Sequence, residues 1–156
     1  MTVLVNDFLS PELALEAGSQ RLAVIAEVLT HFRDIASVRA AFVRFADVLS
    51  PGGLVVASAF VTDHGYRPDA LAKQVGEMSW SAFYTRSELA FITDGLPFEA
   101  IGDDPVGEYE QAHLPAEGWP PTGWFEDWSN GRNVFATSPG IPAPIELRWL
   151  VFRRRA

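Results

Sequence analysis

The chain has 156 residues, 48% hydrophobic and 21% charged, with a net charge of −8 and no cysteine. This mix suits one globular domain with a real core. The missing cysteines exclude disulfides, zinc thiolate centres and a cysteine nucleophile, and the acidity argues against nucleic-acid backbone binding as the main task. No stretch is apolar over the roughly 18 residues that a membrane span needs. The N-terminus lacks the basic region and small-residue cleavage site of a signal peptide, which fits a cytoplasmic location.

In chain order, TVLVN at residues 2–6 reads as a short buried strand. Ser10-Pro11-Glu12 has the form of a helix start, and Gly18 can end the short helix that follows. Leu22 to Glu27 is a second buried strand. Ser37 is placed to cap the next helix, whose apolar positions Val38, Ala41, Phe42, Phe45, Val48 and Leu49 share one face, leaving Arg39, Arg44 and Asp47 for water. Pro51-Gly52-Gly53 stops that helix, and Leu54 to Phe60 is a strand apolar on both faces, as a parallel sheet requires. Residues 69–78 suggest another helix. Thr85 and Glu88 form a capping box for a helix reaching Gly95. Phe98 to Ile101 and Glu146 to Phe152 complete the strands, with a short helix expected around Phe125 to Asn130. The alternation of strand and helix predicts an α/β sheet with helices on both faces.

Charge is uneven. Residues 103–131 hold seven acids and no lysine or arginine, whereas the C-terminus ends in Arg153, Arg154 and Arg155. The acidic stretch reads as a solvated surface or as a wall facing a basic substrate or partner. It belongs to a Pro/Trp-rich insertion at about 103–145 within a single domain.

Glu27-Val28-Leu29-Thr30-His31-Phe32, followed by a helix and then Val48-Leu49-Ser50-Pro51-Gly52-Gly53, resembles the second half of a class I S-adenosylmethionine-dependent methyltransferase. There, an acid ends the fourth strand before a "VLxHf" turn, and "vLkPGG" introduces the fifth. Phe83 to Leu89 resembles the start of the helix before the last two strands. Glu146 to Arg153 resembles the final antiparallel strand, and Asp7-Phe8 the acidic-apolar pair after the third strand. The resemblance implies a truncated Rossmann-like methyltransferase sheet, mostly parallel with an antiparallel C-terminal strand pair. The complete fold has the strand order three, two, one, four, five, seven, six.

The sequence departs from that pattern in one large respect. It has no counterpart of the first two strands, of the helix between them or of the glycine-rich loop, and no G-x-G occurs anywhere. Losing two strands leaves the fourth as a bare apolar edge. Either the N-terminal strand slides in beside Leu22 to Glu27, with residues 11–17 as the crossover helix, or another chain pairs there. The expectation is therefore a homo-oligomer or a partner chain supplying the missing half, with no nucleic acid and no membrane involved.

Ligands of open α/β sheets bind outside the carboxyl ends of parallel strands. Glu27 and His31 stand there as catalytic candidates, suited to orienting or deprotonating a methyl acceptor. The plainer alternative is that Glu27 caps its turn and His31 packs at the start of the helix. The resemblance gives Asp7 and Phe8 an adenine contact with S-adenosylmethionine; otherwise they are a turn residue and a core residue. Tyr109, His113, Trp119, Trp124 and Trp128 form either an aromatic wall for a small organic substrate or the insertion's own small core. Glu110 and His113 share a helical spacing but lack a third ligand, so no metal is expected. The activity implied is methyl transfer to a small organic acceptor, once the cofactor site is completed. The alternative is a degenerate, non-catalytic fold acting as an oligomeric scaffold or regulator.

Overall fold

The computed structural model describes residues 7–32, 34–62, 70, 82–113 and 145–156. The expected strand at 2–6, the helix at 69–78, the helix around Phe125 to Asn130 and Trp119, Trp124 and Trp128 lie outside the described residues.

Strand β1 (Gln20–Ile25) leads through a 3-10 turn (Leu29–His31) into helix α1 (Ile35–Val48). The helix is capped by Asp34 rather than by Ser37. The Asp34 carboxylate accepts from the Ser37 backbone N–H at 2.7 Å and from the Ser37 hydroxyl at 2.8 Å. An aspartate three residues upstream takes the exposed helix N–H groups with a charged acceptor, and Ser37 becomes part of the first turn. The Ser37 backbone bond first, and its hydroxyl second, hold the Asp34 carboxyl below the ordinary carboxylate range.

Helix α1 passes directly into strand β2 (Leu49–Thr62), so the helix ends before Pro51-Gly52-Gly53 is reached. The two glycines do different work. Gly52 has φ +79°, and a Cβ on Gly53 would stand 2.8 Å from the Ser50 carbonyl oxygen and 3.3 Å from that of Arg21. The first needs a left-handed backbone and the second a close approach of β1 to β2.

The expected helix at 11–17 is absent. Asp7 and Ser10 instead draw the backbone into turns: Leu9 N–H donates to Asp7 Oδ1 at 2.9 Å and Glu12 N–H to Ser10 Oγ at 3.2 Å. Such side-chain acceptors compete with a helical ladder, and a seven-residue helix has little cooperativity to resist them.

The remaining elements are β3 (Phe83–Tyr84), α2 (Arg86–Thr93), β4 (Phe98–Pro105), α3 (Val106–His113) and β5 (Ile145–Arg154). Helix α2 starts at the capping box read from the sequence, with Thr85 and Glu88 each accepting the other's backbone N–H. Strand β4 runs four residues beyond the expected Ile101, and α3 follows it, so the insertion begins as regular structure.

The sheet order is β1-β2-β5-β4, which is the four, five, seven, six order of the resemblance. Strand β1 pairs parallel to β2, and β3 takes up the same edge of β2 further along, at Phe60 and Val61. Strand β5 is antiparallel to both β2 and β4. The described sheet is thus mostly antiparallel, not mostly parallel. Among the described residues, the long ladders are those of the C-terminal pair.

One face of the sheet packs on α1 and α2. Phe42 is the centre of that core, with edge-on contacts to Phe45, Phe98 and Phe152 at 5.0–5.7 Å between ring centres. Phe8 and Leu9 join it from the N-terminal segment. Arg39 and Arg44 are half-buried rather than left to water. Arg39 donates to the Phe91 and Asp94 carbonyls at the end of α2, and Arg44 lies over the Phe8 ring while donating to the Leu13 carbonyl. Their aliphatic stems cover apolar surface while the guanidiniums donate to backbone carbonyls at the end of α2 and at Leu13. The opposite face has a smaller core of Phe60, Val106, Ile145 and Leu147, closed by α3, Phe83 and Trp149.

Candidate functional site

The carboxyl end of β1 is built by one unusual residue. Glu27 has φ +58°, the only non-glycine residue with positive φ among the described residues. A left-handed conformation costs an L-residue about 1–2 kcal/mol, so neighbours must hold it. The Glu27 N–H donates to Ser58 Oγ at 2.6 Å, from the middle of β2, and the Glu27 carbonyl accepts from Thr30 Oγ1 at 2.8 Å. Ser58 and Thr30 are both buried.

The rest of the turn is fastened from β3. The Tyr84 hydroxyl donates to the Leu29 carbonyl at 2.7 Å, and Ala82 N–H donates to the Thr30 carbonyl. Burial above all, then the charges of Glu88 and Asp34, pushes the Tyr84 hydroxyl well above its ordinary pKa, so it stays a neutral donor. The outcome is a rigid loop that exposes Glu27 and His31 at the end of the parallel strand pair. Among the described residues the Glu27 carboxylate makes no hydrogen bond or ion pair. It is an exposed carboxyl group with open acceptor oxygens on a held backbone, able to orient a donor or take a proton from one.

The other candidates stand elsewhere. Asp7 forms the turn that begins the described chain. The Phe8 ring stacks on Phe45, 4.8 Å between centres, on the flank of α1. Tyr109 and His113 stack on each other at 4.3 Å on α3, with His113 Nδ1 2.7 Å from the Tyr109 carbonyl oxygen. They belong to the helix that covers the other face of the sheet. Trp124 and Trp128 lie outside the described residues. The structure therefore places Glu27 and His31 on one loop, Phe8 against the core beside Asp7, and Tyr109 and His113 on α3.

Sequence reasoning missed Ser58. Its signal was a lone hydroxyl inside the apolar run LVVASAF, since a buried hydroxyl requires a partner. It also missed the pairing of acids with bases at the start of the insertion. Asp103 is held by both Arg86 and Arg148, and Arg148 also reaches Glu146. Burial works against the Arg148 charge, but the two carboxylates outweigh it and keep the guanidinium firmly protonated. Asp103 is thus part of a clasp joining α2, β4 and β5 and is not an open acidic wall. Among the described residues no group of three or more His, Asp or Glu side chains is placed to hold a metal ion, and no helix is long and apolar enough to cross a membrane.

No protein-family model matches the chain, and no curated protein matches it significantly. Solved structures do match. The chain is similar in fold to geranyl diphosphate C-methyltransferase from Streptomyces coelicolor A3(2), solved with Mg2+, geranyl diphosphate and S-adenosyl-L-homocysteine. That likeness has a TM-score of 0.57 at 12% identity over 98% of this chain and 52% of that one. Phosphoethanolamine N-methyltransferase 2 from Haemonchus contortus, solved with S-adenosyl-L-methionine, gives 0.59 at 14% identity over 96% of this chain and 36% of that one. A cyclase, SpnF, gives 0.58 at 14% identity over 97% and 54%. The chain has the fold of class I S-adenosylmethionine-dependent methyltransferases, over about half the length of the proteins it matches. The cyclase shows that this fold carries more than one chemistry.

Proposed function

We propose that this chain is the acceptor-side half of an S-adenosylmethionine-dependent methyltransferase that acts on a small organic molecule. The observation that carries the reading is Glu27: an exposed carboxylate on a strained backbone whose N–H is held by Ser58 at the carboxyl end of a parallel strand. Strain of this kind persists only where surrounding structure enforces it, and it gathers at functional sites.

The described residues do not by themselves fit the cofactor. The chain has no G-x-G turn that would let a backbone approach the methionine part, and among the described residues no further acid-terminated strand lies beside β1 for the ribose. No step through the cofactor is therefore assigned to these residues. Their own work is on the acceptor. Glu27 would orient the acceptor's O–H or N–H and accept its proton, and His31 stands four residues on in the same loop. The reading depends on Glu27 and His31. It does not depend on Asp7, Phe8, Tyr109 or His113.

The test is methyl transfer from labelled S-adenosylmethionine to a panel of small alcohols and amines, using the protein isolated from its source cells with whatever co-purifies. Glu27→Gln should reduce turnover by about 100-fold or more, the range of a lost general base. Transfer that is unchanged in Glu27→Gln would refute the assigned role. The second reading, a non-catalytic scaffold, is favoured by the missing glycine-rich loop. It requires that no transfer occur in any such preparation.

A further inference from the structure

The loop that presents Glu27 is held from outside itself, and its holder is held in turn. Ala82, β3 and α2 form a short run of chain beside the loop. At its start, Ala82 N–H donates to the Thr30 carbonyl and the Tyr84 hydroxyl to the Leu29 carbonyl. At its end, Arg39 of α1 donates to the Phe91 and Asp94 carbonyls at 2.6 and 2.7 Å. Helix α1 follows the loop in the chain. Loop, α1, α2 and β3 therefore close into a ring, in which Tyr84 and Arg39 make the side-chain joints.

Charge ties that ring to the antiparallel half of the sheet. Arg86, the first residue of α2, pairs with one carboxylate oxygen of Asp103 on β4, and Arg148 on β5 pairs with the other. Arg148 also donates to the Asp103 backbone carbonyl at 2.8 Å and reaches Glu146. Register sets Asp103 opposite Leu150, a member of the core beneath α1 and α2, so the cluster lies on the face that α2 covers. A carboxylate shared by two guanidiniums is a more defined joint than a single exposed pair. Arg86 Nε is buried without a hydrogen-bond partner, so its guanidinium depends on Asp103 to offset its desolvation. The capping residue Thr85 separates Arg86 from Tyr84 by one position. What happens at Asp103 thus reaches the anchor of the Glu27 loop through two short steps.

We propose that the Glu27 loop, β3 and α2 open and close as one unit, and that Asp103, acting through Arg86, is the positioning residue that keeps this unit seated. The use made of Glu27 rests on the methyltransferase reading; the mechanics rest on the bonds above. Cooperative units of this size coincide with supersecondary runs and open at free energies below that of the whole fold.

Native-state hydrogen exchange of the full chain, followed by NMR across low urea concentrations, tests this. The expected result is that the Glu27, Ala82 and Leu89 amides share one opening, at a lower free energy than the amides of the β2–β5 ladder. Leu89 reports on α2, where its N–H donates to the Thr85 carbonyl at 3.1 Å. Asp103→Asn should speed exchange at all three amides by one common factor of roughly 3- to 30-fold. Arg86→Met should do the same, and Asp103→Asn added to it should change the three amides no further, because the effect passes through the guanidinium. The Gly18 amide, bonded to the Asp47 carbonyl far from the cluster, should exchange as in wild type. A Glu27 amide that opens apart from Leu89, that opens only with the ladder, or that ignores Asp103→Asn would overturn the proposal. A purely structural Asp103 gives the last of these: it lowers the urea midpoint and leaves the Glu27 opening where it was. The methyl-transfer assay separates the two claims. A shared opening in a protein that transfers no methyl group keeps the unit and sinks the methyltransferase reading; transfer by a protein whose Glu27 amide ignores Asp103→Asn does the reverse.

Discussion

Glu27→Gly isolates the strain at the proposed site. Glu27 sits at φ +58°, where a side chain costs about 1–2 kcal/mol that glycine does not bear. Glycine loses more backbone freedom on folding, which returns about 0.5–1 kcal/mol. The carboxylate has no partner among the described residues, so its removal costs little. The Ser58 hydrogen bond uses the backbone N–H and survives the change. The balance is a gain of about 0.5–1 kcal/mol, which at a slope of about 2 kcal/mol per molar urea raises the midpoint by about 0.3–0.5 M. Glu27→Ala removes the same carboxylate but keeps the strain, so it should leave the midpoint within about 0.2 M of wild type. Urea unfolding followed by tryptophan fluorescence measures all three proteins. A glycine variant no more stable than the alanine variant would show that the turn stores no strain. An alanine variant well below wild type would show that the carboxylate supports the fold, and the functional argument from strain would fall.

Ser58→Ala removes the hydroxyl that holds this turn and leaves a backbone N–H without its acceptor; we expect a loss of about 1–3 kcal/mol in the same urea assay. Tyr84→Phe deletes the donor to the buried Leu29 carbonyl and should cost about 1–2 kcal/mol at neutral pH. The Tyr84 hydroxyl ionises at a higher pH in the folded protein than in the unfolded chain, so its contribution is complete below its ordinary pKa of 10.0 and is lost as pH rises above it. The gap between wild type and Tyr84→Phe should therefore narrow in unfolding curves taken above pH 10.0. Phe42→Ala empties the meeting point of three other rings and should cost about 3–5 kcal/mol, read as a lower urea midpoint with an unchanged slope.

Much of this fold was legible because strong periodic signals met strong punctuation. Val38, Ala41, Phe42, Phe45, Val48 and Leu49 are all buried on the face that their spacing assigned. The Thr85–Glu88 capping box starts a helix as read, and β5 covers the expected strand. Failures came where local and tertiary alternatives compete. Ser10-Pro11-Glu12 has the residues of a helix start, yet Asp7 and Ser10 satisfy the same backbone as turns. Asp34 outcompetes Ser37 because a carboxylate reaches the same N–H from outside the helix. Strand direction was misjudged because the described ladders are mostly those of the antiparallel C-terminal strands, which the parallel pattern of the complete fold outweighed in the reading. Arg39 and Arg44 looked like solvent residues, since nothing in a helical wheel announces the α2 carbonyls or the Phe8 ring.

At the candidate site, the place of Glu27 and His31 was legible but its mechanics were not. Positive φ is signalled in sequence by glycine or asparagine, and a glutamate there gives no warning. Its enforcement by Ser58 spans 31 positions, a distance over which residue type alone carries no pairing information. Tyr109 and His113 were grouped with the tryptophans by composition, whereas the structure sets them on α3 as a stacked pair.

The central claim is that this chain contributes half of a cofactor-dependent methyl-transfer site. Calorimetric titration with S-adenosylhomocysteine tests it most directly, made on the chain alone and on any complex that it forms in its source cells. The account predicts saturable micromolar binding to at least one of these preparations. No heat of binding up to millimolar ligand, from the complex and from the chain alone, would contradict it.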